Sequence, residues 1–185
     1  NTKAELARQN GLEALARIIM AQRTEDLQFI AGKYKNKNIL SAEEALEGAG
    51  HIIAEWINER PDIRNLLRWH LGKQGLITAK AIPAKKMEEK AQTYKDYFDF
   101  SEAVQRCPSH RLLAMLRAEN EGFIRLKLEL DDEQVIEKIE ERIIESNNAC
   151  SGQISLAIKD AYKRLLFPAI SNEILQTAKE KADDT

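Results

Sequence analysis

The sequence predicts a mainly α-helical fold, a bundle of about eight helices with a minor two-stranded β-ribbon as an optional addition. Glycine and proline, which interrupt helices most often, occur only 8 and 4 times in 185 residues, about half their usual share. Apolar residues make up 43% of the chain and recur mostly at the spacing of amphipathic helices. No apolar run approaches the roughly 20 residues of a membrane span, so we expect no membrane association.

Three helices are predicted in the N-terminal third of the chain. The first covers 4–23 and is interrupted by Gly11, which marks a bend or a break. A short helix over 26–33 follows. The start of the third helix is the best defined, because Ser41 can cap the free N–H groups and Glu44 can reach back to close a capping box.

The middle of the chain mixes helices with extended segments. Pro61 suits the first turn of a helix, where its missing N–H is not needed, and Gly75 ends that helix. Residues 76–82 have the β-branched character of a short strand, although their alternation is imperfect. A charged helix is predicted over 85–98.

The next segments form a second pair of helix and strand. Pro108 and Ser109 open a helix that Gly122 closes. Residues 123–130 then alternate between apolar and charged side chains, which is the period of a half-buried strand. We expect this strand to pair with 76–82 and helices to cover the ribbon, since a lone ribbon is only marginally stable in water.

Three further helices complete the prediction. Asp131 or Asp132 caps the first, Ser151 starts the second and Pro168 starts the third.

We expect residues 1–185 to form one helical domain, with a weak candidate sub-boundary in the glycine- and lysine-containing stretch 72–86. The chain begins at Asn1 without methionine and ends in a polar tail, so we expect it to be a piece of a longer multidomain protein. Its two cysteines are isolated, which excludes a disulfide scaffold and suits a cytoplasmic location.

Charge is distributed unevenly although 28 basic and 30 acidic residues nearly cancel. Residues 60–86 carry seven cations against one carboxylate, whereas 129–149 carry two cations against eight carboxylates. The seven cations are candidate phosphate contacts for RNA or DNA, because guanidinium groups can fork to two phosphate oxygens. They are Arg60, Arg64, Arg68, Lys73, Lys80, Lys85 and Lys86. The alternative is a solvated helix face, or one that pairs with the acidic helix at 131–146.

Catalytic patterns are lacking, so we expect a protein that is not an enzyme and has no cofactor or metal site. The three histidines lie far apart, and none has a second ligand at metal-binding spacing. No glycine-rich phosphate loop or nucleophile elbow occurs. Cys107 and His110 are three residues apart, but we favour a packed cysteine over a catalytic pair.

Two smaller features allow two interpretations each. His110 and Arg111 lie at a helix N-terminus, which makes them a candidate anion site, or they clamp Asp99 or Glu102 across the turn. A local group of aromatic residues either stacks nucleic-acid bases or forms a small core, which we favour. The group comprises Tyr94, Tyr97, Phe98 and Phe100.

Residues 94–122 resemble the signature of the bacterial Tex family of transcription accessory proteins. In that family a Tyr-Phe-Asp-Phe/Tyr-Ser-Glu segment leads to Pro-Ser-His-Arg and then to Arg-Gly-Glu-x-Glu-Gly. This sequence departs from the pattern at Ala103 and Ala118, and the stretches 45–55 and 160–173 also fit the family. The matching residues are Tyr97, Phe98, Asp99, Phe100, Ser101, Glu102, Pro108, Ser109, His110, Arg111, Arg117, Glu119, Glu121 and Gly122.

The resemblance implies a role beyond the residues present. Tex-like proteins are multidomain nucleic-acid binders with an RNase-H-like domain, helix-hairpin-helix elements and an OB-type RNA-binding domain. The chain resembles the helical region before the RNase-H-like domain. We therefore expect a non-catalytic scaffold that contributes to RNA or DNA binding by the full-length protein, with its other domains and the transcription machinery as partners. The alternative is a protein–protein interaction module with no nucleic-acid binding of its own.

Overall fold

The computed structural model describes residues 2–183 and is mainly α-helical, which confirms the predicted fold class. Nine α-helices and three β-strands lie within these residues. The helices are α1 (Lys3–Gln9), α2 (Glu13–Ala21), α3 (Leu27–Gly32), α4 (Ala42–Asn58), α5 (Pro61–Gln74), α6 (Ser109–Asn120), α7 (Asp132–Ile143), α8 (Ala149–Ala161) and α9 (Phe167–Asp183). The strands are β1 (Leu76–Ala81), β2 (Asp99–Ala103) and β3 (Ile124–Glu129).

The described residues form two compact units. The first contains the described residues up to Arg64 together with Asp132–Pro168, and the second contains Asn65–Asp131 and the described residues from Ala169 onward. The prediction of one domain over the whole chain, with a weak boundary at 72–86, stays a prediction.

Helix α4 is the centre of the first unit, and α1, α2, α3 and α8 all pack against it. Its buried residues form the stripe that its sequence period requires, including Ile52 and Ile53 at 0% exposure. Gly48 lets the junction between α1 and α2 approach α4 closely. A Cβ at this position would lie 2.3 Å from Cδ1 of Leu12, the residue that precedes α2.

A three-stranded antiparallel sheet with the order β2-β1-β3 organises the second unit. The predicted pairing of 76–82 with 123–130 is confirmed, with Ile77 opposite Leu128. The sequence did not predict β2, which pairs with the other edge of β1 and places Thr78 opposite Ser101. Helix α6 packs against β3.

Several helix boundaries differ from the predictions for local reasons. Gly11 has φ +81° and separates α1 from α2, so it marks a break. Ser41 Oγ accepts from the Glu44 N–H at 3.1 Å, but the Glu44 carboxylate accepts from the N–H of Leu40, at 2.7 Å, so the predicted capping box is only half present.

The predicted charged helix over 85–98 is wrong. The segment contains two short 3-10 helices, Pro83–Lys85 and Lys90–Tyr97, and Tyr94 inside the second has non-helical angles of φ −107° and ψ 15°. Tyr94 is buried at 9% exposure, so its side-chain packing prevails over the helix-forming composition of the segment.

The last two helix starts are also shifted. Asn148 caps α8, which begins at Ala149, so Ser151 is the third residue of the helix rather than the first. A single π turn, Tyr162–Leu166, joins α8 to α9 without a loop, and Pro168 is the second residue of α9.

Candidate functional site

Three of the candidate cations, Arg60, Arg64 and Arg68, recur every four residues, and we call them the basic ridge. The first two are bonded within the first unit. Nη2 and Nε of Arg60 donate to the Asp62 carboxylate at 2.8 and 3.1 Å. These hydrogen bonds hold the pKa of Asp62 below its ordinary value. Nη1 of Arg64 donates to the carbonyl and side-chain oxygens of Asn58, both at 3.0 Å. Part of the phosphate-binding capacity of both side chains is therefore already used.

The third arginine, Arg68, is bonded within the second unit. Its Nη2 donates to Glu173 at 2.9 Å, its Nε donates to the same carboxylate, and its Nη1 donates to Asn65 at 2.6 Å. The acidic helix α7 forms no ion pair with Arg60 or Arg64 among the described residues of the first unit. Instead its own Arg142 lies 3.7 Å from the Asp62 carboxylate.

The four predicted lysines have separate environments. Lys73 is exposed at the end of α5, and Lys85 is 3.6 Å from Glu88. Lys80 forms an ion pair with Asp99, which is the main reason that the pKa of Asp99 is lowered. The charge of Lys86, an exposed residue, lowers the pKa of Asp99 further.

Two cations that the sequence analysis did not single out join Lys80 on the sheet. Arg125 and Lys127 project from β3 on the face that also carries Thr78 and Lys80. Lys80 lies directly opposite Arg125, and Lys127 lies directly opposite Thr78. All three cations are exposed, and neither Arg125 nor Lys127 has an ion-pair partner in the part of the chain that is described.

Cations directly opposite each other on neighbouring strands repel. Lys80 has Asp99 on its other side, which offsets part of this repulsion, whereas Arg125 lies on the edge strand. We call the surface made by Thr78, Lys80, Arg125 and Lys127 the basic sheet face. Two carboxylates, Asp99 and Glu129, flank these cations on the same face, and the Thr78 hydroxyl donates to Glu129 at 3.4 Å. The alternation of 123–130 was visible in the sequence, but only the register with β1 brings its cations together with Lys80.

The two residues of the candidate anion site, His110 and Arg111, have different surroundings. Arg111 donates to Glu102 at 2.5 Å and lies over the ring of Phe100 at 5.8 Å, as in the clamp interpretation. Arg111 is the main reason that the pKa of Glu102 is lowered. His110 is exposed at the start of α6. An anion site at His110 and Arg111 stays a prediction.

Cys107 is half-buried close to Glu102. Burial, together with the charge of that carboxylate, raises the pKa of the thiol to about 11. A thiol that stays protonated at neutral pH is a poor nucleophile. This environment agrees with the interpretation of a packed cysteine.

The aromatic group is partly a core. The ring of Tyr94 is 5.8 Å from that of Phe123, and its hydroxyl donates to Glu121. Tyr97 and Phe100 contact edge to face at 5.6 Å. These contacts occupy ring faces that base stacking would need.

Residues 2–183 contain neither a cluster of metal ligands nor a membrane-spanning helix. No group of three or more His, Cys, Asp or Glu side chains in this range could hold a metal ion. No helix in this range is both long enough and apolar enough to cross a membrane.

Comparison with known proteins places this chain in a family. The model of the family described as Tex central region-like matches residues 22–185. The uncharacterized protein YdcI of Bacillus subtilis is 36% identical over 187 residues, covering 99% of this chain and 26% of YdcI. The transcriptional accessory protein Tex of Neisseria gonorrhoeae is 34% identical, covering 98% of this chain and 25% of Tex.

A eukaryotic relative is more distant. The transcription elongation factor spt6 of Schizosaccharomyces pombe is 30% identical over 156 residues, covering 77% of this chain and 11% of spt6. The chain spans about a quarter of the length of the bacterial relatives. The family model matches most residues of this chain, and the similarity to Tex covers nearly all of them. The chain therefore belongs to the Tex central region-like family.

Proposed function

We propose that this chain is a non-catalytic helical scaffold of a Tex-like transcription accessory protein and that it contributes phosphate contacts when the full-length protein binds RNA or DNA in the cytoplasm. The single observation that carries the proposal is the basic sheet face, where Arg125 and Lys127 are exposed with no ion-pair partner in the described chain and lie beside Lys80, which is paired with Asp99. A bound phosphate would relieve the repulsion between the opposed cations. The exposed hydroxyl of Ser101, opposite Thr78, adds a neutral hydrogen-bond donor on the same face.

The names of relatives support a nucleic-acid setting. One relative is a transcriptional accessory protein, one is a transcription elongation factor, and a human relative at 28% identity is named for an S1 RNA-binding domain. The non-catalytic part of the proposal rests on the high pKa of Cys107 and on the separate positions of the titratable groups described above.

Binding of a fluorescein-labelled single-stranded RNA of about 15 nucleotides tests the proposal. We expect affinity to fall as salt rises, with a log–log slope of about 0.7 for each phosphate contact. The double variant Arg125→Glu/Lys127→Glu should lower affinity at least about tenfold and reduce the slope by about 1 to 2. The matched control is Lys35→Glu/Lys37→Glu, which reverses two exposed cations at the same spacing in a loop of the first unit.

Equal loss of affinity in both double variants would show that only net charge matters and would contradict a role for the basic sheet face. The triple variant Arg60→Ala/Arg64→Ala/Arg68→Ala tests the ridge predicted from the sequence. If it reduces binding more than the β3 variant does, at an unchanged melting temperature, the phosphate contacts lie on the ridge instead.

A protein–protein interaction module without nucleic-acid binding is the second candidate. The observation that favours it is that Arg60, Arg64 and Arg68 already donate to groups of this chain. A filter-binding assay separates the two functions, because this candidate requires that no RNA is retained at any salt concentration.

A further inference from the structure

Three neighbouring cavities in the first unit share one lining residue, His51 on α4. Their volumes are about 290, 250 and 260 Å³. The first lies against α3 and α8, the second against α1, and the third against the start of α1 and the turn after α8. All three are lined by residues of α4 and meet at His51, and we call the three cavities together the α4 groove. At 1.5 Å per residue, the 17 residues of α4 span about 25 Å.

The floor of the α4 groove is apolar. Leu46, Gly50 and Ala157 line the first cavity, and Ala7 and Leu12 line the second. Exposed leucines stand at the margin: Leu156 is 60% exposed beside the first cavity, and Leu6 is 46% exposed beside the second. Large apolar side chains left in water beside a depression are typical of a surface that binds a partner.

The walls of the α4 groove are acidic. Six carboxylates line the three cavities, of which Asp160 is paired with Arg164 at 2.9 Å and Glu55 with Arg8 at 2.7 Å. The remaining four carboxylates face one further cation of the lining, Lys3. Glu43 and Glu47 have no ion-pair partner among the described residues, and they lie one helical turn apart above the first cavity. The six carboxylates are those of Glu43, Glu44, Glu47, Glu55, Glu59 and Asp160.

From this combination we propose that the α4 groove binds a basic amphipathic segment of a protein partner, with apolar side chains of the segment in the cavities and its Lys or Arg side chains against the glutamates. Charge complementarity selects this occupant. An acidic wall repels nucleic acid and acidic peptides, and the apolar floor favours leucine-bearing segments in the manner of a helix bound in a groove.

The proposal goes beyond nucleic-acid binding and uses other residues. The basic sheet face belongs to the second unit, whereas every residue of the α4 groove belongs to the first. The two proposals therefore fail independently, because variants of one surface leave the other unchanged.

Fluorescence anisotropy with two synthetic probes tests the groove on the 185-residue chain. The first probe is a labelled peptide of about 15 residues with Leu at helical spacing and Lys at the other positions, which matches the length of the groove. The second probe has Glu in place of every Lys. We expect saturable binding of the Lys probe only. No saturable binding of the Lys probe, or equal binding of the Glu probe, would overturn the proposal.

A pair of charge reversals separates groove binding from general attraction to an acidic protein. Glu43→Lys/Glu47→Lys should weaken binding of the Lys probe at least about tenfold. Glu137→Lys/Glu141→Lys makes the same change of charge at the same spacing on exposed positions of α7, and it should change affinity less than about threefold. Equal effects of the two variants would mean that the groove is not the binding site.

A pair of glycine substitutions tests the cavity without changing charge. A Cβ at Gly50 would have no neighbour within 4 Å, so Gly50→Leu can fill the first cavity without a backbone clash. Gly152→Leu on α8 meets the same open space away from the three cavities and is the control. We expect Gly50→Leu alone to weaken binding at least about tenfold, with both variants folded by circular dichroism. Unchanged affinity in folded Gly50→Leu would contradict the proposal.

Discussion

At the scale of single residues, Arg111 connects the start of α6 to β2. It donates to Glu102 and covers the ring of Phe100. The other carboxylate oxygen of Glu102, Oε2, is buried without a hydrogen-bond partner in the described chain. Removal of Arg111 would leave this half-buried carboxylate without its counter-charge, which costs more than the ion pair itself contributes.

We predict that Arg111→Met lowers the stability of the fold, because Glu102 then loses its counter-charge. The control is Arg106→Met, which removes an exposed cation close in sequence and should change stability by less than about 0.5 kcal/mol. Urea unfolding followed by circular dichroism measures both values. If the two variants were equally stable, Arg111 would not act as the clamp.

His51 provides a prediction about pH. Burial lowers its pKa below the ordinary value of 6.5, although the charge of Asp160 opposes this effect. The unfolded chain therefore takes up this proton first as pH falls, and the folded state loses stability from about pH 6.5 down toward the pKa of the folded state.

As pH falls from about 7.5 to about 5.5, we expect the melting temperature of His51→Gln to decrease less than that of the parent chain. His110→Gln is the control at an exposed position and should reproduce the pH dependence of the parent. A steeper fall in His51→Gln than in the parent would show that the sign of this contribution is wrong.

The sequence predicted side-chain roles only where the partners are close along the chain. The cap of Ser41 on Glu44 was predictable because three residues separate them. The pairing of Arg68 with Glu173 was not, because 105 residues separate them and only the folded unit brings them together. The sequence therefore left open whether the basic ridge binds phosphate, is solvated or is paired, whereas its guanidinium groups are bonded within the chain in the structure.

At the scale of elements, the junction of α5 and β1 depends on Gly75. A Cβ at Gly75 would lie 2.4 Å from the carbonyl oxygen of Leu71, which is backbone and cannot rotate away. The Gly75 N–H donates to that same carbonyl at 2.9 Å, and its own carbonyl accepts from Val104 at 2.9 Å. The end of α5 is thus bonded directly to the segment that follows β2.

We predict that Gly75→Ala lowers the free energy of unfolding by about 1–3 kcal/mol, because the helix end must shift. Gly72→Ala lies three residues earlier in α5, and a Cβ there has no neighbour within 4 Å. It should instead stabilise the protein by up to about 1 kcal/mol through helix propensity. Thermal unfolding measures the change in stability of each variant. If Gly75→Ala were stabilising, the clash with the Leu71 carbonyl oxygen would be contradicted.

The elements that the sequence predicted correctly have strong periodic patterns. Helix α4 and strand β3 are examples, since each has one continuous apolar side. Strand β2 was missed because only five residues form it and its inner residues, Phe100 and Glu102, do not look like a strand core. It pairs with β1 because α6 and the Arg111 clamp hold it there, and these are tertiary effects that no local pattern contains.

At the scale of the whole molecule, opposite charges are concentrated in different regions. The basic sheet face belongs to the second unit, and α7 with its many carboxylates belongs to the first. The sequence pI is about 6.0, so the net charge is close to zero at that pH. Attraction between the basic region of one copy and the acidic region of another should then exceed repulsion between the copies.

We predict self-association near pH 6.0 in low salt that weakens as salt rises to about 0.1 M, where the Debye length is about 10 Å. Static light scattering measures the apparent mass under both conditions. The variant Arg125→Glu/Lys127→Glu should scatter less at low salt when it is measured at its own pI. Association that grows with salt would instead indicate an apolar contact.

The surroundings of the two cysteines have a practical consequence for spectroscopy. Cys150 is completely buried, and Cys107, whose pKa burial raises to about 11, stays protonated near neutral pH. Thiolates attack the double bond of maleimide dyes, so a cysteine introduced at an open position such as Lys37 should react far faster than either native thiol. Single-dye attachment therefore does not require the native cysteines to be replaced.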